Sequence, residues 1–331
     1  MLRSKVGEVS ALRNLPNQSK DRIAPVIHVA KNPPAGFVEG MVGTKKKAGV
    51  WVGRRVAVDG RFNFTAKNSA VELTTMLKEL GDGGVLVIPS VKCGAPAAYV
   101  AAITPFIGKY DAGLVLKVAL GDLPSCLAWV GARGWKPSEI DLVIDLEHIA
   151  EYEPTAIAKV TAQECAQHIG KNHQWRSVAL SSAAFPRDFG GLKLGRNEVT
   201  RLDWTLWNSV RKSVPFSLDY GDYGIAHPNL EEPPDKARGK GTISVRYTAD
   251  KYWIAIKGKQ TGKKTGMKMH PQYLAHSKLL IKDAEFGGIN PCWGDDQIRQ
   301  IPSGKVSPGS PAKWVEYSLN RHLSLVLDRL P

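Results

Sequence analysis

Seven short apolar runs along this chain each end in a polar or charged residue. They are Ala57-Val58-Asp59, Leu86 to Lys92, Leu114 to Lys117, Leu142 to Glu147, Ser177 to Ser182, Phe216 to Tyr220 and Ile243 to Tyr247. Near-continuous Val, Ile and Leu of this length suits strands buried on both faces of a parallel sheet. Between the runs, Val6 to Leu15, Ala70 to Leu80 and Ala97 to Ile107 carry apolar positions three and four apart, the spacing of one helix face. The last of these follows Pro96, a good first-turn residue. Thr161 to Ile169 opens with Thr161-Ala162-Gln163-Glu164, a capping-box spacing. Short strands at Met1 to Ser4 and Ile23 to Val29 bring the candidate strands to nine. Strands alternating with helices predict βα units. The expected fold class is α/β, a TIM-like (β/α)8 barrel with one extra strand or hairpin; an open doubly wound sheet is the alternative. In such barrels the carboxyl rim of the strands carries the chemistry.

Two segments break the regularity. Residues 31–55 hold Pro33-Pro34, Lys45, Lys46, Lys47, Trp51, Arg54 and Arg55. Residues 251–270 hold Tyr252, Trp253, Lys257, Lys259, Lys263, Lys264 and Lys268, spaced by Gly and Thr. Both mix cations with aromatics and small residues, and both are read as long loops inserted in a barrel of residues 1–277. From Lys278 the text changes: Phe286 to Asp296 is turn-rich, and a helix starts near Ser310 and runs to Leu330. Residues 278–331 are read as a small C-terminal extension packing on the barrel.

Charge narrows the function classes. The 331 residues carry a formal net charge of +14. Small acidic substrates rarely need so large a field, whereas nucleic acid and anionic membranes do. Lys45, Lys46, Lys47, Trp51, Arg54, Arg55, Lys257, Lys259, Lys263 and Lys264 are accordingly read as DNA-contacting residues. No run is long and apolar enough to span a bilayer, and the N-terminus lacks a signal-peptide layout. Cys93, Cys126, Cys165 and Cys292 are scattered with no C-x-x-C pair, so reduced thiols in a cytoplasmic monomer are expected. No metal or cofactor motif is seen.

Several phrases together resemble the beta-protein family, the T-even bacteriophage beta protein-like sequences common in bacterial defence islands. They are Leu2-Arg3-Ser4-Lys5-Val6-Gly7-Glu8 with Ala11-Leu12, Ile23-Ala24-Pro25-Val26-Ile27, and Leu142-Val143-Ile144-Asp145. Further on come Trp175-Arg176-Ser177-Val178 with Ala184-Phe185-Pro186, and Tyr220-Gly221-Asp222-Tyr223-Gly224 before His227-Pro228. Trp293-Gly294-Asp295 and Asn320-Arg321-His322 complete the set. The resemblance implies an α/β barrel. It also implies an anti-phage DNA glycosylase that flips and excises glucosylated hydroxymethylcytosine from double-stranded phage DNA, leaving abasic sites. Where relatives are expected to carry a carboxylate after the second strand, this chain has His28.

A glycosylase needs a carboxylate that stabilises an oxocarbenium-like sugar or activates water. Asp59, Asp145 and Glu147 are the leading candidates, with Asp219 and Asp222 behind them. Asp145 and Glu147 lie two apart, which on a strand puts both on one face. Lys117 interrupts an apolar strand and either pairs with a rim carboxylate or acts as a Schiff-base nucleophile. Arg3, Lys92 and Arg246 at strand ends are read as contacts to phosphate or leaving group. Tyr220, Asp222 and Tyr223 are read as stacking and hydrogen-bonding groups for an extruded base. Gly190 to Arg196 is a weak candidate phosphate-binding loop. Two other functions compete: a metal-dependent nuclease or phosphodiesterase using His28, Asp59, Asp145 and Glu147, and a non-catalytic nucleic-acid-binding defence sensor.

Overall fold

The run Leu114–Val118 forms a strand in which all five residues are buried, Lys117 included. The neighbouring runs behave alike, and their hydrogen bonding assembles the site. The computed structural model describes residues 1–30, 36–60, 69–110, 112–229, 242–262, 267–288 and 290–331. In chain order the elements begin β1 (Leu2–Arg3), α1 (Val6–Arg13), α2 (Asn17–Lys20), β2 (Val26–His28), α3 (Phe37–Val42), β3 (Gly43–Thr44), β4 (Lys47–Ala48), β5 (Arg55–Asp59), α4 (Ser69–Asp82) and β6 (Leu86–Lys92). Next come α5 (Ala97–Ile103), β7 (Leu114–Val118), α6 (Leu123–Gly131), β8 (Ile140–His148), α7 (Pro154–His168), β9 (Ser177–Ala183), β10 (Gly195–Thr200), α8 (Leu202–Arg211) and β11 (Asp219–Asp222). The chain ends with β12 (Thr242–Thr248), β13 (Tyr252–Gln260), α9 (Met269–Leu280), α10 (Trp293–Gln300) and α11 (Pro311–Arg329).

Eight strands make one sheet in the order β1-β2-β5-β6-β7-β8-β9-β11, and every pairing in it is parallel. These are the first eight of the nine strands read from the sequence. The sheet curls. β1 and β7 are four strand spacings apart, about 19 Å if flat, yet Met1 Sδ lies 3.2 Å from Lys117 Nζ. The Met1 amine also donates to the Asp222 carbonyl, joining the start of β1 to the end of β11. Residues paired in register across parallel strands leave the sheet on the same face. Ala57, Ile88, Val115 and Val143 share the inner face and cluster with Ala112, Met1, Val26 and Ala179. This apolar layer is the floor beneath the polar residues described below.

The chain divides into two compact units, 1–4, 24–184 and 202–223 in one, and 5–23, 185–201 and 224–331 in the other. The expected division into 1–277 and 278–331 differs from this. The second unit is built on a three-stranded antiparallel sheet, β10-β13-β12. The Ile243 strand belongs to that sheet. Residues 251–270, expected as a loop, begin instead with the nine-residue strand β13, whose Trp253, Ile254, Ala255 and Ile256 are buried. The consecutive aromatic and aliphatic positions favoured a strand, and the alternating lysines at its end obscured it. The capping-box reading at Thr161 also fails. The helix starts at Pro154, with the Glu153 side chain accepting from Thr155 N and Ala156 N, and Thr161 is buried in mid-helix. A proline at the first position and a carboxylate at the cap are the stronger start signal. Among the described residues, no helix is long and apolar enough to cross a membrane.

Candidate active site

The inner face carries a second, polar layer above the apolar floor. His28 pairs in register with Asp59, Lys117 with Val143, and Asp145, two residues further on, with Ser181. Strand alternation therefore turns His28, Asp59, Lys117 and Asp145 to the same side. All four are buried, Lys117 at 1% exposure. Lys117 Nζ lies 2.9 Å from Asp145 Oδ2 and 3.6 Å from Asp59 Oδ2. His28 Nδ1 approaches the same Asp59 oxygen at 3.7 Å, and His28 Nε2 meets Met1 Sδ at 3.4 Å. Removing an ammonium from water costs several kcal/mol, roughly, unless it is well paired. Two carboxylates within reach of one ammonium are what holds Lys117 there.

Asp145 is fixed at both oxygens. Tyr223 Oη donates to Oδ2 at 2.6 Å, and the Glu147 backbone N–H donates to Oδ1 at 3.2 Å. The second bond is an Asx turn. It is made where the β8–β9 register slips between Asp145 and His148, and Glu147 takes a φ of 54°. A non-glycine residue in this left-handed region carries strain, of the kind that collects at functional sites. The slip has a second consequence. Asp145 is buried, whereas the Glu147 side chain is 54% exposed and lies 3.9 Å from Lys92 Nζ, itself 44% exposed. Such a pair contributes less than about 1 kcal/mol. Glu147→Gln is accordingly expected to leave the denaturation midpoint almost unchanged, and a loss of several kcal/mol would contradict this placement.

The remaining sequence candidates separate into those near this layer and those elsewhere. Arg3 pairs in register with His28, and its buried Nε has no hydrogen-bond partner among the described residues. Tyr223 is buried, its ring 5.7 Å from Lys117 Nζ, so it positions Asp145 and is not open to stack on a base. Tyr220 is likewise occupied: its ring packs against Trp204 and Trp207, and its hydroxyl lies 2.6 Å from Asp203 and 2.8 Å from Asp222. Asp219 opens β11 and so lies at the opposite end of that strand from Asp222. Arg246 is on β12 of the second sheet, donating to the Ile225 carbonyl and packed on Phe185 and Phe189. In the glycine-rich loop Gly190 N donates to Asp188 Oδ1, Leu192 N to the Phe189 carbonyl and Lys193 N to Asn197 Oδ1, while Lys257 Nζ donates to the Gly190 and Leu192 carbonyls. Lys257 is thereby committed, while Lys259 is exposed near the end of β13. Lys263 and Lys264 lie outside the described residues.

The first basic segment is structured and distant from the carboxylates. Lys45 and Lys46 form the exposed turn between β3 and β4, and Lys47 starts β4. Gly53 N donates to the Gly84 carbonyl and Leu86 N to that of Arg54, so this segment packs at the amino-terminal ends of β5 and β6. Asp59 is four residues further along β5, about 13 Å away at the rise of a strand. Lys45, Lys46, Lys47, Arg54 and Arg55 thus sit at the far end of the strands from Asp59. Trp51 is fully buried, with Nε1 donating to the Arg55 carbonyl, and is a core residue.

Among the described residues, no three His, Cys, Asp or Glu side chains are grouped so as to hold a metal ion. Asp145 faces an ammonium and a phenol, and Glu147 is exposed beside Lys92. The thiols are not poised as nucleophiles: burial pushes Cys126 up to about 11 and Cys165 and Cys292 up to about 12. Sequence reasoning named His28 only for a metal site and did not single out Met1, Ser90 or Ser181, all of which the sheet brings to its inner face. His28 had a signal, since it also ends an apolar run. Ser181 lies at the polar end of such a run as well, whereas Ser90 lies inside one and reads as filler.

A model of the family described as Beta protein matches residues 1–328 of the chain. No curated protein matches it. Among solved structures, the arginine decarboxylase of Paramecium bursaria Chlorella virus is similar over 64% of this chain and 62% of its own length, at 12% identity and a TM-score of 0.30.

Proposed function

The chain belongs to the beta-protein family, and on that premise we propose that it is a DNA glycosylase removing glucosylated hydroxymethylcytosine from phage DNA. The observation that carries the reading is the buried Asp59–Lys117–Asp145 cluster at the carboxyl ends of a curled parallel sheet. Two carboxylates that share one ammonium sit close together, a pairing that glycosidic-bond cleavage uses. Asp145 is held by Lys117, Tyr223 and its Asx turn, and acts as the fixed anchor. Asp59, at longer distances from its cations, faces the sugar. As the C1′–N bond breaks, its electron pair goes to the base, which takes up a proton from solvent water, and the proton that Asp59 accepts later returns to solvent. Asp59 stabilises the cationic sugar and accepts a proton from the water whose oxygen bonds to C1′. Arg3 binds a backbone phosphate. The sheet is taken to close into a full barrel, for which the Met1–Asp222 hydrogen bond between the edge strands is the support. Defence against phage as a cytoplasmic monomer completes the reading.

The test is incubation with phage DNA carrying the modified base and with unmodified DNA, each with and without chelator. Alkali-labile abasic sites in the modified DNA alone, unaffected by chelation, are expected. Direct nicks abolished by chelation, or no product, would reject the proposal. Because the lysine turn lies at the far end of the strands, replacing Lys45, Lys46 and Lys47 by Ala is expected to leave single-turnover base release from a short, saturating duplex unchanged. A tenfold fall would bring that turn into the site.

A further inference from the structure

Two hydroxyls on the inner face are fully buried and have no hydrogen-bond partner among the described residues: Ser90 Oγ on β6 and Ser181 Oγ on β9. β6 lies between the strands of Asp59 and Lys117, and β9 lies beside the strand of Asp145. Ser181 is the register partner of Asp145, and parallel partners leave the sheet on one face. Ser90 lies two residues before Lys92, the register partner of Lys117, so it too faces inward. Beside Ser181 the next strand offers Gly221; a Cβ there would stand 3.1 Å from the Ser181 Cβ, so glycine keeps the space next to this hydroxyl clear.

A buried polar group without a partner is costly, and native proteins rarely keep one without a reason. The reason here follows from charge. An anion would meet the carboxylates of Asp59 and Asp145, and the Lys117 ammonium is already shared between them. A neutral partner suits the layer. Hydroxyls both donate and accept, so they match the hydroxyls of a sugar, which do the same. We infer that Ser90 and Ser181 form a subsite for a neutral, hydroxyl-bearing sugar carried by the substrate. This rests on the glycosylase reading and deepens it, since it assigns recognition of the hexose on the modified base to two named residues.

Binding of free nucleosides tests the subsite without requiring catalysis. Calorimetric titration of the full chain with glucosylated hydroxymethylcytidine and with hydroxymethylcytidine is expected to show about tenfold or more preference for the glucosylated form, the size of effect that matching buried hydrogen-bonding groups gives. Ser181→Ala and Ser90→Ala are each expected to remove most of that preference while leaving the melting temperature unchanged or raised, because the deleted hydroxyl has no partner among the described residues. Equal binding of the two nucleosides, failure of both to bind, or a preference that survives in both variants would overturn the subsite. The abasic-site assay on DNA separates the two ideas. Base release with no serine-dependent preference sinks the subsite and keeps the glycosylase. Serine-dependent binding without base release keeps the subsite and rejects the glycosylase.

Discussion

Asp59→Asn is expected to slow single-turnover base release from glucosylated phage DNA by about 10³-fold or more, while the protein melts at nearly its normal temperature. The size is that of a general base or a charge-stabilising group removed from a water-poor site. The separation of rate from stability comes from the geometry. Lys117 keeps its closer partner, Asp145 at 2.9 Å, when the Asp59 charge is lost. Asparagine preserves the shape, and the missing charge matters most when the sugar becomes cationic. Asp145→Asn should behave differently. It removes the main counter-charge of a buried ammonium, and breaking such a pair costs roughly 3–5 kcal/mol. That variant is expected to lose both activity and stability. If Asp59→Asn releases base at the normal rate, the catalytic carboxylate is elsewhere. If the two variants melt alike and low, both aspartates are structural.

Arg321→Met is expected to destabilise the second unit by about 3–5 kcal/mol, whatever the protein's activity. Arg321 is 2% exposed and spends its guanidinium on the carbonyls of Thr248, Gly287 and Asn290 and on Asp295 Oδ2 at 3.2 Å. Asp295 is completely buried and also accepts from Tyr247 Oη at 2.8 Å and from Cys292 N at 3.0 Å, where it caps α10. Methionine fills the volume but leaves three carbonyls and a buried carboxylate short of a donor. Chemical denaturation of the full chain, with Asp295→Asn and the double variant, measures the coupling. A loss below about 1 kcal/mol would mean that the network contributes little.

That network explains two of the phrases by which the chain resembles its family. Trp293-Gly294-Asp295 and Asn320-Arg321-His322 meet in space. Gly294 N donates to Asn320 Oδ1 at 3.0 Å, and a Cβ on Gly294 would lie 2.3 Å from the Tyr317 carbonyl, so only glycine allows α10 to approach α11 this closely. His322 Nδ1 lies 3.1 Å from Thr248 Oγ1 on β12. These motifs are packing devices of the second unit. Leu142-Val143-Ile144-Asp145 and Tyr220-Gly221-Asp222-Tyr223 are different, because their last residues meet at the buried polar layer through the Tyr223–Asp145 hydrogen bond.

Burial on both faces leaves a mark in one dimension, so the eight parallel strands, their order of appearance and the polar residues at their ends could be read from the chain. Lys117 amid Leu114, Val115, Leu116 and Val118 is legible for the same reason: an ammonium in such company needs a counter-charge, whatever the fold. Pairing between strands is not written locally. The slip after Asp145 turned Glu147 out to solvent, although strand alternation alone puts the two carboxylates on one face. Basic residues declare their charge but not their end of the sheet, so Lys45, Lys46 and Lys47 looked like part of the rim until the backbone bonds of Gly53 and Leu86 anchored them at the other end. Trp51, Tyr220 and Tyr223 read as surfaces for a base, and packing made them core and support. The sequence determined which groups had to be buried and paired. The curl of the sheet decided which of them meet, because only that curvature brings Met1, His28, Asp59, Asp145 and Tyr223 around one ammonium.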